Sequence, residues 1–359
     1  MNAPPGPVFV VGSMRSGSTL LRLILDSHPH IAIGAETGFM GGLRAAKDIP
    51  RWKFGKGWYE RLGWTEAEFD ARLREFYAGL FQRFAAQQGK PRWGEKTPFH
   101  TEYIAEMSRI FPDAVFVGLV RHPGAVASSL RATFHYGFGE ALAYWSDTNL
   151  RLVRSGSELA DRFVLLRYED LVLEGEPVLR DLLAWLGEPW HPDVLEHHRV
   201  QREKGAPRAA EGRTITRDPV DADRAVQWVR ELTEPDRHAL DGVTALAGFL
   251  GYQPRDPDLR ERPSEGVRWL VDGVELARRR LRWQDRLSFD ARPATALPEG
   301  DAEELAARVA HLEGVLARVR SRRAVRVADA MRTVQHGRSL DDVRRAWTLL
   351  RSPRYDGRA

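Results

Sequence analysis

The chain has no cysteine, so a structural disulfide and a thiolate metal site are both excluded. Only six of its 54 basic residues are lysines, which makes a lysine inside a motif more informative than an arginine. No apolar run approaches the roughly 20 residues that span a bilayer. The opening MNAPPGP lacks the charged-then-apolar order of a signal peptide. These absences predict a cytoplasmic enzyme. Disorder is excluded too, because an apolar content of 43% is enough to bury a core. A length of 359 residues accommodates one large α/β domain and an appendage.

Charge divides the chain. Residues 255–359 hold 23 Arg against 17 Asp+Glu, a net of +6, while the whole chain is +4, so residues 1–254 carry −2. The basic character belongs to the tail and says little about the ligand of the main domain. Within the tail, Leu305, Val309, Leu312, Leu316 and Val319 keep a 4-3-4-3 spacing, a short helical seam that must pack on something. A basic stretch at 320–332 suits a solvated helical face or a dimer contact better than nucleic acid or anionic lipid. The reading is a domain at 1–254, a basic helical extension at 255–359, and a homodimer through the C-terminal helices.

Val8–Val11, Val115–Val120 and Phe163–Arg167 are short apolar runs without alternation, the pattern of strands buried on both faces. Helices are predicted at Ser18–Ser27, Glu66–Gln87, after Pro123, and from Tyr168 to Leu186, where Gly187 stops it. Strands alternating with helices indicate a P-loop-like central parallel sheet flanked by helices, with ligands bound beyond the carboxyl ends of its strands. Residues 51–64 read as an aromatic loop or lid, and residues 200–222 as loop. Trp52, Phe54, Trp58, Tyr59 and Trp64 either line an acceptor pocket or pack the lid.

Between the first strand and helix lies Gly12-Ser-Met-Arg-Ser-Gly-Ser-Thr19. Its backbone N–H groups can form an anion nest, and the helix adds its partial positive end. Arg15 and the hydroxyls of Ser16, Ser18 and Thr19 add donors. Phosphate-binding loops of the GxxxxGK[ST] kind place a lysine before the final hydroxyl; here Ser18 stands there. A nucleotide kinase would need that lysine, and an acidic magnesium ligand where Val115–Val120 instead runs into Arg121. A scaffold that keeps the fold without activity is the other alternative.

Four further motifs follow in order: GAET at 34–37, WGEKTP at 93–98, FPDAVFVGLVRHPGAVASSL at 111–130 and LLRYEDLV at 165–172. Together with the loop they resemble the sulfotransferases that use 3′-phosphoadenosine-5′-phosphosulfate (PAPS), especially a bacterial branch akin to tyrosylprotein sulfotransferases. The resemblance covers roughly residues 7–250. It implies PAPS as donor and adenosine 3′,5′-bisphosphate (PAP) as product, with no metal. Arg15, Ser16, Gly17, Ser18 and Thr19 would hold the 5′-phosphosulfate, and Arg121 with Ser129 the 3′-phosphate. Glu36 would accept the acceptor's proton, with Lys96 and Arg15 absorbing charge as the product leaves. Glu95 reads as a structural partner. Tyr168 and Glu169 either support the donor pocket or close a strand and cap a helix. A downstream basic contact to the phosphate falls on Thr216–Trp228, where the aligned position holds Asp218, so Arg217 would have to serve. The acceptor is a small molecule, sugar or peptide bearing a hydroxyl or phenol, and no nucleic-acid partner is expected.

Overall fold

A computed structural model describes residues 6–49, 53–173, 175–205, 218–225, 227–252 and 269–270. Arg217 and almost all of the 255–359 extension, with its helical seam, basic stretch and dimer contact, lie outside the described residues. The boundary expected near residue 254 lies outside them as well.

Five parallel strands form the sheet: β1 (Val8–Gly12), β2 (Ile31–Ile33), β3 (Arg92–Lys96), β4 (Val115–Val120) and β5 (Phe163–Arg167). A two-residue β6 (Trp269–Leu270) adds antiparallel to β5, and the spatial order is β2-β3-β1-β4-β5-β6. Among the described residues the helices are α1 (Ser18–Ser27), α2 (Gly42–Lys47), α3 (Glu66–Gln87), α4 (Ile104–Ile110), α5 (Pro123–Phe134), α6 (Phe138–Leu159), α7 (Tyr168–Leu173), α8 (Gly175–Trp185), α9 (His197–Glu203), α10 (Glu234–Ala239) and α11 (Thr244–Phe249). No helix among the described residues is long and apolar enough to cross a membrane.

The unbroken apolar runs have a direct cause. Phe9, Val11, Phe116, Val120, Phe163 and Leu165 enter one core, shared with residues of α3 to α6. Val8, Val10, Val117, Leu119, Val164 and Leu166 enter a second, shared with α1, α7 and α8. Strands alternate faces, and both faces are covered, so every position is apolar.

Two strands are not among those predicted. Ile31–Ile33 is too short to announce itself, and Arg92–Lys96 (RWGEK) reads as polar loop. Yet β3 lies between β1 and β2 with all five residues buried. Its charges are matched: Arg92 donates to Leu186 O at 2.7 Å and to Glu188 at 3.0 Å, while Glu95 and Lys96 find partners described below. A buried charge survives when paired, whatever the strand's mean polarity. The predicted loop from 200 is also corrected, since α9 continues to Glu203. The predicted helix from Tyr168 is two helices, α7 and α8.

Strands β3, β4 and β5 end at Lys96, just before Arg121 and just before Tyr168, around the turn that leaves β1. The sheet thereby gathers four motifs at one edge.

Candidate active site

The β1–α1 turn is shaped by two residues in the left-handed region, Arg15 at φ 66° and Gly17 at φ 99°. Gly17 is required twice over, for a Cβ there would also stand 2.3 Å from Tyr168 Cδ2. Neighbouring elements hold the turn. Gly12 N donates to Thr101 Oγ1 at 2.9 Å, and Met14 N donates to Tyr144 Oη of α6 at 2.9 Å.

The lysine missing from the turn arrives from the adjacent strand. Lys96, pairing in register with Val10 of β1, is fully buried and donates from Nζ to Thr19 Oγ1 at 3.1 Å. The same ammonium forms an ion pair with Glu36 Oε1. Glu36 sits on the loop after β2 with its side chain 35% exposed, so it faces the cleft while touching a buried cation. That loop is pinned by Glu95: Thr37 Oγ1 and Thr97 Oγ1 donate to Oε1 at 3.0 and 2.8 Å, and His100 Nδ1 lies 2.6 Å from Oε2. Glu95 is the structural partner expected of it.

Arg121 begins where β4 ends. It donates to Arg15 O at 3.2 Å and to Arg224 O at 2.8 Å, and its guanidinium lies 4.2 Å from the centre of the Tyr168 ring. Trp145 of α6 donates to the Arg121 carbonyl at 2.8 Å. Arg15 Nε donates to Ser129 Oγ at 2.8 Å. Tyr168 opens α7 and walls the turn at Gly17; burial pushes its phenol pKa up. Glu169 accepts from His122 N at 3.0 Å and from Tyr252 Oη at 2.7 Å, tying the start of α5 to α7.

These residues line one cleft of about 1240 Å³. Among the described site residues, Arg15, Gly17, Ser18, Thr19, Glu36, Arg121, Ser129 and Tyr168 are on its wall. Lys96 and Ser16 lie behind, fully buried. Sequence reasoning missed Ser128, Thr101, Tyr144, Arg224 and Trp228. Ser128 had a signal in its place beside Ser129; the rest are joined to the site only by long-range contacts.

The cleft is suited to an anionic ligand. Ser16 Oγ, Ser128 Oγ and Arg121 Nε are buried and have no hydrogen-bond partner in the protein. Such atoms are costly unless a ligand or solvent answers them. All three are donors, and all three surround the turn and α5.

Two members of the aromatic run pack against α3. Tyr59 stacks on Phe69 of α3 at 4.6 Å and Trp58 meets the same ring edge-on at 5.4 Å. Neither these nor Phe54 and Trp64 line the cleft, and Trp52 lies outside the described residues. Elsewhere His28, His30 and Glu188 bring donor atoms within 4.8 Å of one another. Main-chain bonds engage both His28 nitrogens: Nδ1 accepts from His30 N at 3.2 Å, so Nε2 donates to Pro189 O at 2.8 Å. Arg92 holds the other oxygen of Glu188.

The sequence model of the sulfotransferase family matches residues 7–192. Protein-tyrosine sulfotransferase 1 of Danio rerio is 27% identical over 260 residues, 69% of this chain and 72% of its own length. Protein-tyrosine sulfotransferase A of Caenorhabditis elegans is 25% identical over 280 residues, 74% of this chain and 73% of its own. Among solved structures, the sulfotransferase domain from the curacin biosynthetic pathway aligns with a TM-score of 0.49 at 22% identity, covering 69% of this chain and 98% of that domain.

Proposed function

The chain belongs to the sulfotransferase family, and from that premise we propose that it transfers a sulfuryl group from PAPS to an acceptor hydroxyl or phenol. The observation that carries the reading is the Lys96–Glu36–Thr19 contact, which joins a buried cation, a cleft-facing carboxylate and the anion-binding turn in one place. The relatives' name, protein-tyrosine sulfotransferase, supports a tyrosyl side chain of a peptide as the acceptor class.

The residues fit the donor. Ser16 to Thr19, with Arg15, hold its 5′ end, and Arg121 with Ser129 its ribose 3′-phosphate. When bound, it offers a sulfur already linked through oxygen to a good leaving group, so no metal is called for in this reading.

Glu36 takes the acceptor's proton at a carboxylate oxygen as the acceptor's own oxygen closes on sulfur. The bond from sulfur to the bridging oxygen breaks on the opposite side. Lys96 meets the negative charge left on that oxygen; being fully buried, its ammonium acts with little solvent screening. Arg15 adds charge from the turn. Thr19 holds Lys96 Nζ, and Glu95 holds the loop carrying Glu36, so proton acceptor and cation are positioned before reaction.

The test is transfer of label from sulfur-35 PAPS to a tyrosine-bearing peptide, a small phenol and a monosaccharide, with calorimetry alongside. The expected result is labelled peptide, and PAP bound without metal in preference to ATP with Mg²⁺. Preference for ATP with Mg²⁺, and label in none of the acceptors, would overturn the reading.

A further inference from the structure

We infer that Arg224 supplies a cation to the ribose 3′-phosphate, where the aligned position holds Asp218; this rests on the donor-site reading above. Part of the cleft wall comes from the 218–231 stretch, which brings Asp218, Pro219, Val220, Asp221, Arg224 and Glu231 to the lining. Three carboxylates stand there against one guanidinium. A dianionic phosphate approaching Arg121 and Ser129 meets that wall, and without a cation on it the wall opposes binding. Asp218 is itself on the wall, so the position where the family resemblance places a basic residue presents a negative charge.

Arg224 is held where it can answer. Its carbonyl accepts from Arg121 at 2.8 Å, which ties the two arginines together at the main chain. The short turn at Ala222–Ala225 is locked by Trp228, whose indole N–H donates to Ala225 O at 2.7 Å. The Trp228 ring stacks on His122 at 4.3 Å and lies so close over Gly124 that a Cβ there would be 2.3 Å from it. The turn is therefore docked on the first turn of α5, the helix that carries Ser128 and Ser129. Arg121 lies over the Tyr168 ring at 4.2 Å, and Arg224 is near enough to act on the same phenol.

Two more features support the assignment. Arg224 Nε lies 3.5 Å from Asp221 Oδ2, a loose contact on a side chain 45% exposed, so the planar fork remains presented to the cleft. Ser128, 3% exposed on the same wall as Ser129, has an Oγ without a protein partner and can donate to a third phosphate oxygen. Arg121, Ser128, Ser129 and Arg224 together make a complete phosphate shell drawn from β4, α5 and the 222–225 turn.

The experiment compares dissociation constants for PAP and adenosine 5′-monophosphate, which differ only in the 3′-phosphate. R224A is expected to weaken PAP about tenfold to a hundredfold, as loss of hydrogen bonds to a charged group does, and to leave the monophosphate within about twofold. R224K should recover part of the loss, and D221N should tighten PAP by removing a repulsive neighbour. Thermal melting of R224A near the wild-type value separates lost contact from lost fold. Selective loss in R217A with none in R224A would overturn the assignment. A wild-type chain that binds both ligands equally would remove the donor-site reading and the inference together. A wild-type preference that survives R224A overturns the Arg224 assignment alone.

Discussion

Arg15 donates its Nε–H to Ser129 Oγ at 2.8 Å, joining residues 114 positions apart in sequence. In the proposed reading they serve opposite ends of the donor, Arg15 the phosphosulfate and Ser129 the ribose phosphate. The bond, with Arg121 donating to Arg15 O, makes the two anion subsites one connected structure. Ser129→Ala and Arg15→Lys should therefore be non-additive in PAP affinity. A double-mutant cycle is expected to give a coupling of about 0.5–3 kcal/mol; additivity would show that the subsites act separately.

Glu36→Ala should abolish sulfuryl transfer while leaving PAP affinity within about threefold, because a proton acceptor contributes to the transition state and little to product binding. Parallel rate and calorimetric measurements decide it. Equal loss of both would assign Glu36 to the structure of the loop.

Lys96→Met should lower kcat by about 10²–10³, the usual consequence of removing a preorganised charge-stabilising donor. Lys96→Arg should not restore it, since Lys96 is fully buried between Thr19 and Glu36 and a longer planar head has no room there. Single-turnover rates are the readout, and full activity in Lys96→Arg would refute the claim.

Gly17→Ala should destabilise the fold and impair PAP binding together. A Cβ there adds the strain of φ 99° to a clash with the Tyr168 ring, together about 2–3 kcal/mol. Adding Tyr168→Ala should recover the clash but not the backbone strain. Urea unfolding of the single and double variants checks the order.

Acid should destabilise the protein through His197. Burial, reinforced by neighbouring His198, lowers its pKa from 6.5 to about 4. Between these values the unfolded chain binds the proton and the folded chain does not. The stabilising contribution is thus complete above pH 6.5 and falls away as pH drops toward 4, by about 3 kcal/mol. His28, also lowered by burial, acts in the same direction. His197→Phe should flatten the pH dependence of the urea midpoint across this window; an unchanged slope would mean that His197 is not held neutral.

Much of this protein was legible in its sequence because local chemistry dictated it. The three fully apolar strands announced a sheet covered on both faces, and Gly17 announced a turn that other residues adopt only with strain. In the structure the start of α3 is fixed locally as well, by a capping box at Thr65 and Glu68. The tertiary structure decided what depends on partners distant in sequence. RWGEK became a central strand because β1 and β2 flank it and each charge meets a counterpart. The loop's lysine came from β3, since neighbouring strands end side by side. The 218–231 part of the cleft wall was set by Trp228 stacking on His122. Hydrophobic periodicity and turn propensity act over a few residues and can be read along the chain. The pairing of buried charges is a property of space, and only folding brings those residues together.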